Sequence, residues 1–340
     1  MSSQTRADGV VDEAVEVTYR EAIRLAFDDE LASDPSVVLL GEDIAAAGGP
    51  FKTTEGLYEK YGGDRLIDTP IAENGFCGMA LGMAMTGMRP VVEIMFSDFL
   101  PTAYDAIAME MPRLRFMSGG QTSAPVTVRA SGGGGGRFGA QTSSTGESWF
   151  LQFLGLQIAV SGSPQSAYGL LRTAIQENNP VVVFEHKALH GVKGPLVRGD
   201  TSLPEIGQAE ILREGSDVTV VGSLLMVHRA LEASEALAAK GEGIDAEVID
   251  IRWVRPLDLS TIRQSLEKTG RLVVLEEQYH EGGWGSAVVS RLTEAGFSWQ
   301  NPPTLVSMPD VLISHSPPLE DLMVPSVERI ESAIRATASS

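Results

Sequence analysis

The chain has 340 residues, of which 43% are hydrophobic and 21% charged, a globular composition with a length that suits two domains. Its 45 acidic residues outnumber 26 basic ones, for a formal charge of −19, and such a field disfavours nucleic acids and anionic membranes as partners. The acidity is typical of a cytoplasmic protein, and the single cysteine, Cys77, excludes an internal disulfide.

The N-terminal region contains the first predicted elements. Residues 1–16 are polar and acidic without an apolar segment, so they predict a disordered tail and no signal peptide. Thr18 and Glu21 have the spacing of a capping box, and apolar residues at helical spacing predict a helix over 19–32. The apolar run at 37–41 predicts a buried strand.

Glu73 lies where a predicted strand meets a predicted helix. The strand covers 65–68, Pro70 ends it, and a helix of small and apolar residues begins near Gly75. We expect a carboxylate at this junction to be partly buried, which raises its pKa and suits it to share a proton with a bound base. An acid at a helix N-terminus favours the same position, and this segment alone leaves both interpretations open.

One face of this predicted helix carries Gly75, Gly78 and Gly82. Glycine inside a helix costs about 1 kcal/mol relative to alanine. Three glycines on one face therefore predict that another helix, a backbone segment or a cofactor packs very close to it.

The remainder of the first half alternates between strands and helices. Five consecutive glycines at 132–136 have no preferred conformation, so they predict a loop that is mobile unless a ligand or partner orders it. The strand–helix–strand spacing that follows predicts a βαβ unit in a parallel sheet. The predicted strands cover 91–96, 124–128, 156–160 and 181–185, and the predicted helices cover 102–116 and 164–177.

A second series of strands and helices follows residues 191–205, whose glycines and prolines predict an interdomain linker. The sequence thus predicts an α/β protein of two domains, 17–192 and 206–340, joined by residues 193–205. Each domain is expected to hold a mostly parallel sheet flanked by helices. The second domain's predicted strands cover 218–221, 246–251, 272–276 and 304–308, and its helices cover 226–239 and 285–295.

Common signatures of catalysis and metal binding do not occur in the sequence. No Gly-x-Gly-x-x-Gly motif directly follows a predicted strand, which argues against a dinucleotide fingerprint, and the sequence has no phosphate-binding loop of the Walker type and no Gly-x-Ser-x-Gly elbow. His186 and His190 are four residues apart, but without a third ligand or a helix we interpret them as loop or partner-contact residues. His228, His280 and His315 are predicted to be structural.

Several segments together resemble the beta subunits of the decarboxylating component of 2-oxo acid dehydrogenase complexes, which are transketolase-like thiamin-diphosphate enzymes. This family includes pyruvate, branched-chain and acetoin dehydrogenases, and the resemblance extends over residues 16–332. The matching segments are Val17-Thr18-Tyr19-Arg20-Glu21-Ala22, Leu40-Gly41-Glu42-Asp43, Asp68-Thr69-Pro70-Ile71-Ala72-Glu73-Asn74-Gly75-Phe76, Met117-Ser118-Gly119-Gly120, Glu177-Asn178-Asn179-Pro180 and Pro318-Leu319-Glu320-Asp321.

The resemblance implies a role for Glu73 and an apolar site around it. In the family, this glutamate bonds the ring nitrogen of the cofactor's aminopyrimidine, and a shared proton there favours the tautomer that activates the cofactor. Ile71, Met95 and Phe99 fall where family members contact the pyrimidine ring. A transketolase-like pyrimidine-binding domain followed by a transketolase C-terminal-like domain is the implied fold.

A potassium site is also implied, near the end of the helix predicted over 164–177. Carbonyl groups at a helix C-terminus carry partial negative charge, which favours a cation. C-capping by Asn178 or Asn179 before Pro180 would explain the same residues. The positions that match the family's potassium ligands are Val126, Ala174, Ile175, Glu177 and Asn179.

The resemblance also implies a partner. Single-chain thiamin enzymes hold magnesium and the diphosphate with a Gly-Asp-Gly…Asn segment, which this sequence lacks and which the split family carries on an alpha subunit. The expected assembly is an α2β2 heterotetramer in which Mg2+ is held by the alpha subunit and thiamin diphosphate is shared. The second domain is expected to pair the subunits and to face a dihydrolipoyl acyltransferase core.

Thr142 departs from the family pattern, because family members usually carry histidine at this position after Ala-Gln. That histidine handles protons near the cofactor and the incoming lipoyl group, and threonine cannot act as an acid or base near neutral pH. The chain could therefore be a slower or inactive scaffold, use a histidine from elsewhere, or belong to a two-component acyloin-forming or transketolase-like enzyme without lipoyl transfer. The main hypothesis is decarboxylation of a 2-oxo acid, or cleavage of acetoin, with acyl transfer to lipoamide.

Overall fold

A computed structural model describes residues 14–199, 203–299 and 301–339. Helix α1, Tyr19–Ser33, begins with the predicted capping box: the Thr18 hydroxyl accepts a hydrogen bond from the Glu21 amide, and the Glu21 carboxylate accepts one from the Thr18 amide. Its apolar face packs on helix α5, Pro164–Gln176. Both helices cover one face of the first sheet.

The first sheet has seven strands in the order β12-β6-β7-β5-β4-β2-β3. All neighbouring pairs are parallel except β12 with β6. The β6–α5–β7 segment is the predicted βαβ unit. The strands are β2 Val37–Gly41, β3 Leu66–Asp68, β4 Arg89–Ile94, β5 Thr127–Gly132, β6 Gln157–Val160, β7 Val181–His186 and β12 Trp253–Arg255.

Three further helices belong to this domain. Helix α3 runs from Glu73 to Met85, so it begins two residues before the position predicted from Gly75. The single helix predicted over 102–116 is a 3-10 turn followed by a π-helical turn at Asp105–Glu110 and then an α-helical segment. The α-helices are α2 Leu57–Tyr61, α3 Glu73–Met85 and α4 Met111–Met117.

The second sheet has five strands in the order β14-β13-β10-β11-β9, parallel except for β9 with β11. Its strands and helices agree with the predicted series and add elements that the sequence did not reveal. The strands are β9 Glu210–Arg213, β10 Val218–Gly222, β11 Ala246–Asp250, β13 Leu272–Tyr279 and β14 Thr304–Met308, and the helices are α6 Leu225–Ala239, α7 Leu259–Thr269, α8 Trp284–Glu294, α9 Pro317–Met323 and α10 Val327–Ala338. This two-domain α/β architecture confirms the predicted fold class.

Two features differ from the predicted division of the chain. Strand β1, Val15–Thr18, pairs antiparallel with β8, Lys193–Leu196, so Val15 and Glu16 are not part of a disordered tail, and the predicted linker contains a strand. Residues 1–13 of the predicted tail lie outside the described residues. Strand β12 follows the linker in sequence but extends the first sheet, because Trp253 is fully buried in the first domain's core.

A hydrophobic core joins the two domains. It combines strand residues of the first sheet, such as Val128 and Val182, with Val254 and Trp284 from the second half of the chain. Because the C-terminal ends of the parallel strands meet along one edge of the first sheet, the segments that follow β2, β3, β4, β5 and β7 lie on that edge. The candidate site is built from these segments.

Candidate functional site at the carboxyl edge of the first sheet

Glu73 is the first residue of α3, which starts shortly after β3 ends at the sheet edge. Its side chain is half-buried. Glu42, which directly follows β2, is buried, and no described group donates a hydrogen bond to its Oε1 atom. Burial raises the pKa of the Glu42 carboxyl, and the negative charge of Glu73 raises it further. Two carboxyl groups therefore interact at the start of α3.

The surroundings of Glu73 are partly apolar and partly open. Cys77, one turn further along α3, is buried, and burial with the nearby charge of Glu73 raises the pKa of its thiol to about 12. Ile71 is 83% exposed. The exposed faces of Gly78 and Gly82 have no atom of the described chain within 4 Å of where a β-carbon would be. Within the described residues, nothing packs against Gly78 and Gly82, although the sequence predicted close packing there, and a β-carbon at Gly75 would meet only the side chain of Ala72, at 3.7 Å.

The segment after β4 carries the predicted pyrimidine contacts Met95 and Phe99, both half-buried. The same segment binds the loop that contains Thr142. The Ser97 hydroxyl donates to the carbonyl of Ser144 at 2.5 Å, and the Asp98 carboxylate accepts the Ser144 amide at 3.1 Å. The structure thus joins the Met95 and Phe99 segment to the Thr142 loop through backbone contacts of Ser144.

The glycine run at 132–136 is held in place by the second domain, whereas the sequence predicted a loop that needs a ligand or partner to order it. The amide of Gly134 donates to Glu277 at 2.5 Å, and the amide of Gly135 donates to Glu320 at 2.8 Å. Gly133 has a φ of +88°, and the ring of His186 occupies the space that a β-carbon there would need. Carboxylates from β13 and α9 therefore order the glycine run, for which the sequence analysis expected an external ligand or a partner.

Arg137 strengthens this interdomain contact. Its guanidinium pairs with Glu320 at 2.7 Å and with Asp321 at 2.8 Å, and its amide also donates to Glu320. The carboxyl group of Glu320 is fully buried, whereas that of Asp321 is 64% exposed. A buried acid with several donors is held far more firmly than an exposed pair.

Thr142 is half-buried and lines a cavity between the domains. Its hydroxyl donates to the carbonyl of Phe138 at 3.3 Å, and its own carbonyl accepts a hydrogen bond from the Lys187 amine. That amine lies 4.7 Å from the centre of the Phe138 ring, and burial lowers the pKa of Lys187 to about 8. The cavity, of about 460 Å³, is lined by Phe138, Ala140, Gln141, Thr142, Ile313, Ser314 and His315.

The histidines at 186 and 190 are both buried. His186 is the last residue of β7 and not a loop residue, whereas His190 lies in a turn, as the loop interpretation expected. Nε2 of His186 lies 2.9 Å from the carboxylate of Glu277. His190 stacks on Phe51, and burial, with the charge of Arg129, lowers its pKa to about 3. Among the described residues, no group of three His, Cys, Asp or Glu side chains could hold a metal ion.

The predicted potassium positions lie together around the end of α5. The guanidinium of Arg89 donates to the carbonyl oxygens of Ile175 at 3.1 Å and of Glu177 at 3.0 Å. The carbonyl of Val126 accepts the Val181 amide, and that of Ala174 accepts the Glu177 amide. Oε1 of Glu177 accepts from the side-chain amide of Asn179 at 2.7 Å. An arginine therefore already supplies positive charge to two of these carbonyls.

Comparison with known proteins gives the family. Residues 15–192 match the family model of the transketolase pyrimidine-binding domain, and residues 207–330 match that of the transketolase C-terminal domain. The beta subunit of acetoin:2,6-dichlorophenolindophenol oxidoreductase from Cupriavidus necator is 40% identical over 95% of this chain and 98% of its own. The pyruvate dehydrogenase E1 beta subunit of Chaetosphaeridium globosum is 41% identical over 94% and 97%. The chain belongs to the E1 beta-subunit family.

This membership confirms the resemblance that the sequence motifs indicated, and the family depends on thiamin diphosphate. The E1 beta subunit of Rhizobium meliloti is similar too, with 37% identity over 95% of this beta subunit and 70% of the relative. A solved structure described as a split gene transketolase, inactive beta4 tetramer, covers 95% of this chain and 98% of its own with a TM-score of 0.76. At 24% identity, that likeness shows the fold alone.

Some residues of this site were missed by sequence reasoning. Glu42 lies in one of the quoted family segments directly after a buried strand, so its position at the sheet edge could have been predicted. Glu320 lies in another such segment, but nothing in the sequence pairs it with glycines more than 180 residues away. Lys187 and His315 carry no local signal, because only the tertiary fold brings them to Thr142.

Proposed function

We propose that this beta subunit, together with an alpha subunit, decarboxylates a 2-oxo acid or cleaves acetoin and passes the acyl group to lipoamide. The observation that carries the proposal is the position of Glu73 at the start of α3, on the carboxyl edge of a parallel sheet and next to the buried acid Glu42. Ligands of such sheets bind at this edge. The curated relatives named as beta subunits of acetoin and pyruvate enzymes support the same reaction class.

The residues present fit the pyrimidine half of thiamin diphosphate. Oε1 of Glu42 is buried without a described donor, and Glu73 beside it faces a partly open surface. Glu73 would share a proton with a ring nitrogen of the bound cofactor, and Glu42 would lie next to this contact. Ile71, Met95 and Phe99 would supply apolar contacts to a flat ring.

Thiamin diphosphate, when bound, supplies the electron sink for cleavage next to the oxo group. This chain's own contribution is to hold a proton at the Glu73 carboxylate and to orient the ring against apolar side chains. The aromatic cluster continues from Phe99 to Phe96 at 5.6 Å and from Phe96 to Phe138 at 5.9 Å. These rings extend from the proposed pyrimidine site to the Thr142 cavity and would exclude water between them.

The other half of the site would come from the alpha subunit. We propose that the alpha subunit binds Mg2+ and the diphosphate, and that two copies of each chain form an α2β2 heterotetramer. The open glycine face of α3 beside Glu73 supports this arrangement, because it leaves room for a closely packed partner. Binding of a dihydrolipoyl acyltransferase core is part of the same proposal.

A monovalent cation near the end of α5 is a further element of the proposal. The carbonyls of Val126, Ala174, Ile175 and Glu177 each have a second lone pair, and the amide oxygen of Asn179 could complete the ligand set. Potassium would then share the helix end with the Arg89 guanidinium. A location in the cytoplasm also remains a prediction. In the described parts of the chain, no helix is long and apolar enough to span a bilayer.

Thr142 supports a second candidate function. With threonine where the family usually has histidine, the cavity of about 460 Å³ beside it could accept a second carbonyl substrate. The enzyme would then form an acyloin, by ligation of the two substrates, and would not transfer an acyl group to lipoamide.

The first experiment uses the beta subunit purified with its alpha subunit, supplied with thiamin diphosphate, magnesium and a panel of 2-oxo acids. Release of carbon dioxide and reduction of a dye are measured together, and the products are identified by mass spectrometry. Dye-linked decarboxylation supports the dehydrogenase function, and acyloin products support the second candidate. If neither occurs on any 2-oxo acid, and acetoin supplied in their place gives no dye reduction, the chain is a non-catalytic partner.

Substitution of Glu73 gives the largest expected effect. Glu73→Gln keeps the size of the side chain but removes its charge, so we expect turnover to fall on the order of 10²–10⁴-fold while the heterotetramer still assembles. Glu59→Gln, an exposed acid on α2, is the matched control and should leave turnover unchanged. Equal rates in the two variants would contradict the proposed function.

A further inference from the structure

His315 lies against the Thr142 loop in an oriented position. Its Nδ1 atom is 3.2 Å from the carbonyl oxygen of Arg137. Because a carbonyl can only accept a hydrogen bond, Nδ1 carries the proton, and Nε2 of the neutral ring has a free lone pair. The ring therefore presents a base at Nε2 while its other nitrogen fixes its direction.

Gly139 makes room for this ring. A β-carbon at Gly139 would lie 2.3 Å from Nε2 of His315, and the residue's φ of +78° is one that side chains disfavour. Only glycine therefore permits this close approach between the loop of the first domain and the imidazole of the second.

His315 and Thr142 line the same interdomain cavity of about 460 Å³. Lys187 binds the Thr142 carbonyl from the first sheet, and Glu320 and Asp321 bind Arg137 from α9. These contacts fix both sides of the loop, so the histidine and the threonine keep their relative positions. His315 is also exposed to solvent, which allows its ring to exchange protons with water.

We infer that His315 is the acid–base group of acyl transfer in this subunit, in place of the histidine that the family usually carries at Thr142. The inference rests on the proposed function. In the transfer of an acyl group to a cyclic disulfide, an electron pair of the acyl donor forms a carbon–sulfur bond. The sulfur–sulfur bond breaks, and the second sulfur leaves as a thiolate that takes up one proton. The disulfide is thereby reduced by two electrons, and the donor carbon is oxidised to the acyl level. The donor's hydroxyl loses its proton as the carbon–oxygen double bond forms, and the bond from the donor carbon to its carrier breaks with the electron pair left on the carrier. His315 first takes up a proton from solvent at Nε2, gives this proton to the thiolate, and is reprotonated from solvent.

The test compares acyl transfer with dye reduction in the assembled α/β enzyme. His315→Asn keeps a donor for the Arg137 carbonyl but cannot transfer a proton, so the ratio of the lipoamide-linked rate to the dye-linked rate should fall at least about tenfold. Thr142→His added to His315→Asn should restore most of this ratio, which a structural role of His315 would not predict. His280→Asn, at an exposed histidine of the same domain, is the matched control and should not alter the ratio.

A second readout needs neither turnover nor a variant. Diethyl pyrocarbonate modifies accessible imidazoles, and peptide mapping by mass spectrometry reports the rate at each histidine. In the wild-type complex without thiamin diphosphate, saturating lipoamide should slow modification of His315 at least about threefold and leave His280 unchanged. Equal protection of both histidines, or no protection of His315, would overturn the inference.

Failure of the inference is distinguishable from failure of the proposed function. If the wild-type enzyme has both activities but His315→Asn keeps the ratio of His280→Asn, only the role of His315 is refuted. Dye-linked turnover without lipoamide-linked turnover also overturns the inference and favours acyloin formation. If the wild-type complex has no dye-linked turnover, the proposed function fails, and protection from modification still decides whether lipoamide binds over His315.

Discussion

The surface around Glu73 is left open by the described chain, whereas side chains from both domains pack against the backbone of the glycine run at 132–136. A β-carbon placed on Gly78 or Gly82 would have no described atom within 4 Å. A β-carbon placed on Gly133 or Gly139 would lie less than 3 Å from a histidine ring. Glycines in the two regions therefore serve opposite purposes. In the second region they admit groups of the same chain, and in the first they leave space for another molecule.

The difference indicates which part of the site is formed before assembly. The loop beside the Thr142 cavity is held in place once this chain has folded, because Glu277, Glu320 and Lys187, which bind the loop, all belong to the same chain. The Glu73 surface is incomplete until a partner covers α3. We therefore expect the isolated chain to bind thiamin diphosphate weakly or not at all, although its interdomain cavity is already shaped.

The closed region should respond most strongly to loss of Glu320. Glu320→Ala removes the acceptor of the Gly135 and Arg137 amides and leaves the Arg137 guanidinium without its buried partner. We expect the free energy of unfolding to fall by about 3 kcal/mol, measured by urea denaturation. Asp321→Ala removes only an exposed partner of Arg137 and should cost less than about 1 kcal/mol. Similar losses in both variants would show that the closed region is not held by buried hydrogen bonds.

A second prediction concerns pH and Lys187 in the same region. Burial lowers the pKa of its amine to about 8 from the usual 10.5, so between these values the unfolded chain binds more protons than the folded one. Stability should accordingly rise with pH across this window, on the order of 2 kcal/mol. Lys187→Met should remove this rise, as measured by denaturation at pH 7.5 and 10.5. An identical rise in the variant would mean that other groups cause it.

The open region should respond to Gly78→Ala in opposite ways before and after assembly. Alanine is the better helix former, and no described atom would clash with its methyl group, so the isolated chain should gain up to about 1 kcal/mol of stability. If a partner packs closely on α3, the dissociation constant of the α/β complex should rise at least about tenfold. Thermal denaturation and analytical ultracentrifugation measure the two effects. Gain of stability with unchanged assembly would show that the partner does not cover this face.

Much of the fold follows from local patterns in the sequence. The Thr18 capping box predicts α1, and apolar runs, interrupted in β10 only by Thr219, predict β2, β7 and β10. Burial on both faces of a parallel sheet requires nearly continuous apolar residues. The π-helical turn at Asp105–Glu110 was missed, since the same apolar spacing also fits an α-helix. The short strand β12 gives no periodic signal in three residues, and its placement depends on where Trp253 is buried.

The candidate site was predictable in part. The sequence placed Glu73 at a strand–helix junction, and the structure has it there. The hydrogen bonds of the glycine run were not predictable. Every residue except proline has a backbone amide, so the sequence does not show which amides are bound, and the acceptors Glu277 and Glu320 lie in the other domain. The resemblance identified Thr142 as unusual but could not show that His315 lies across the same cavity.

Strand β12 has a consequence for synthesis of the chain. A ribosome releases the first domain's other six strands well before residues 253–255, so β6 waits as an unpaired sheet edge while the second half is translated. Such an edge can pair with another nascent chain. A shortened protein that ends in the linker near residue 205 would keep this edge exposed permanently and would lack the buried Trp253. It should therefore aggregate, even though it contains all of residues 15–192, which match the pyrimidine-binding domain.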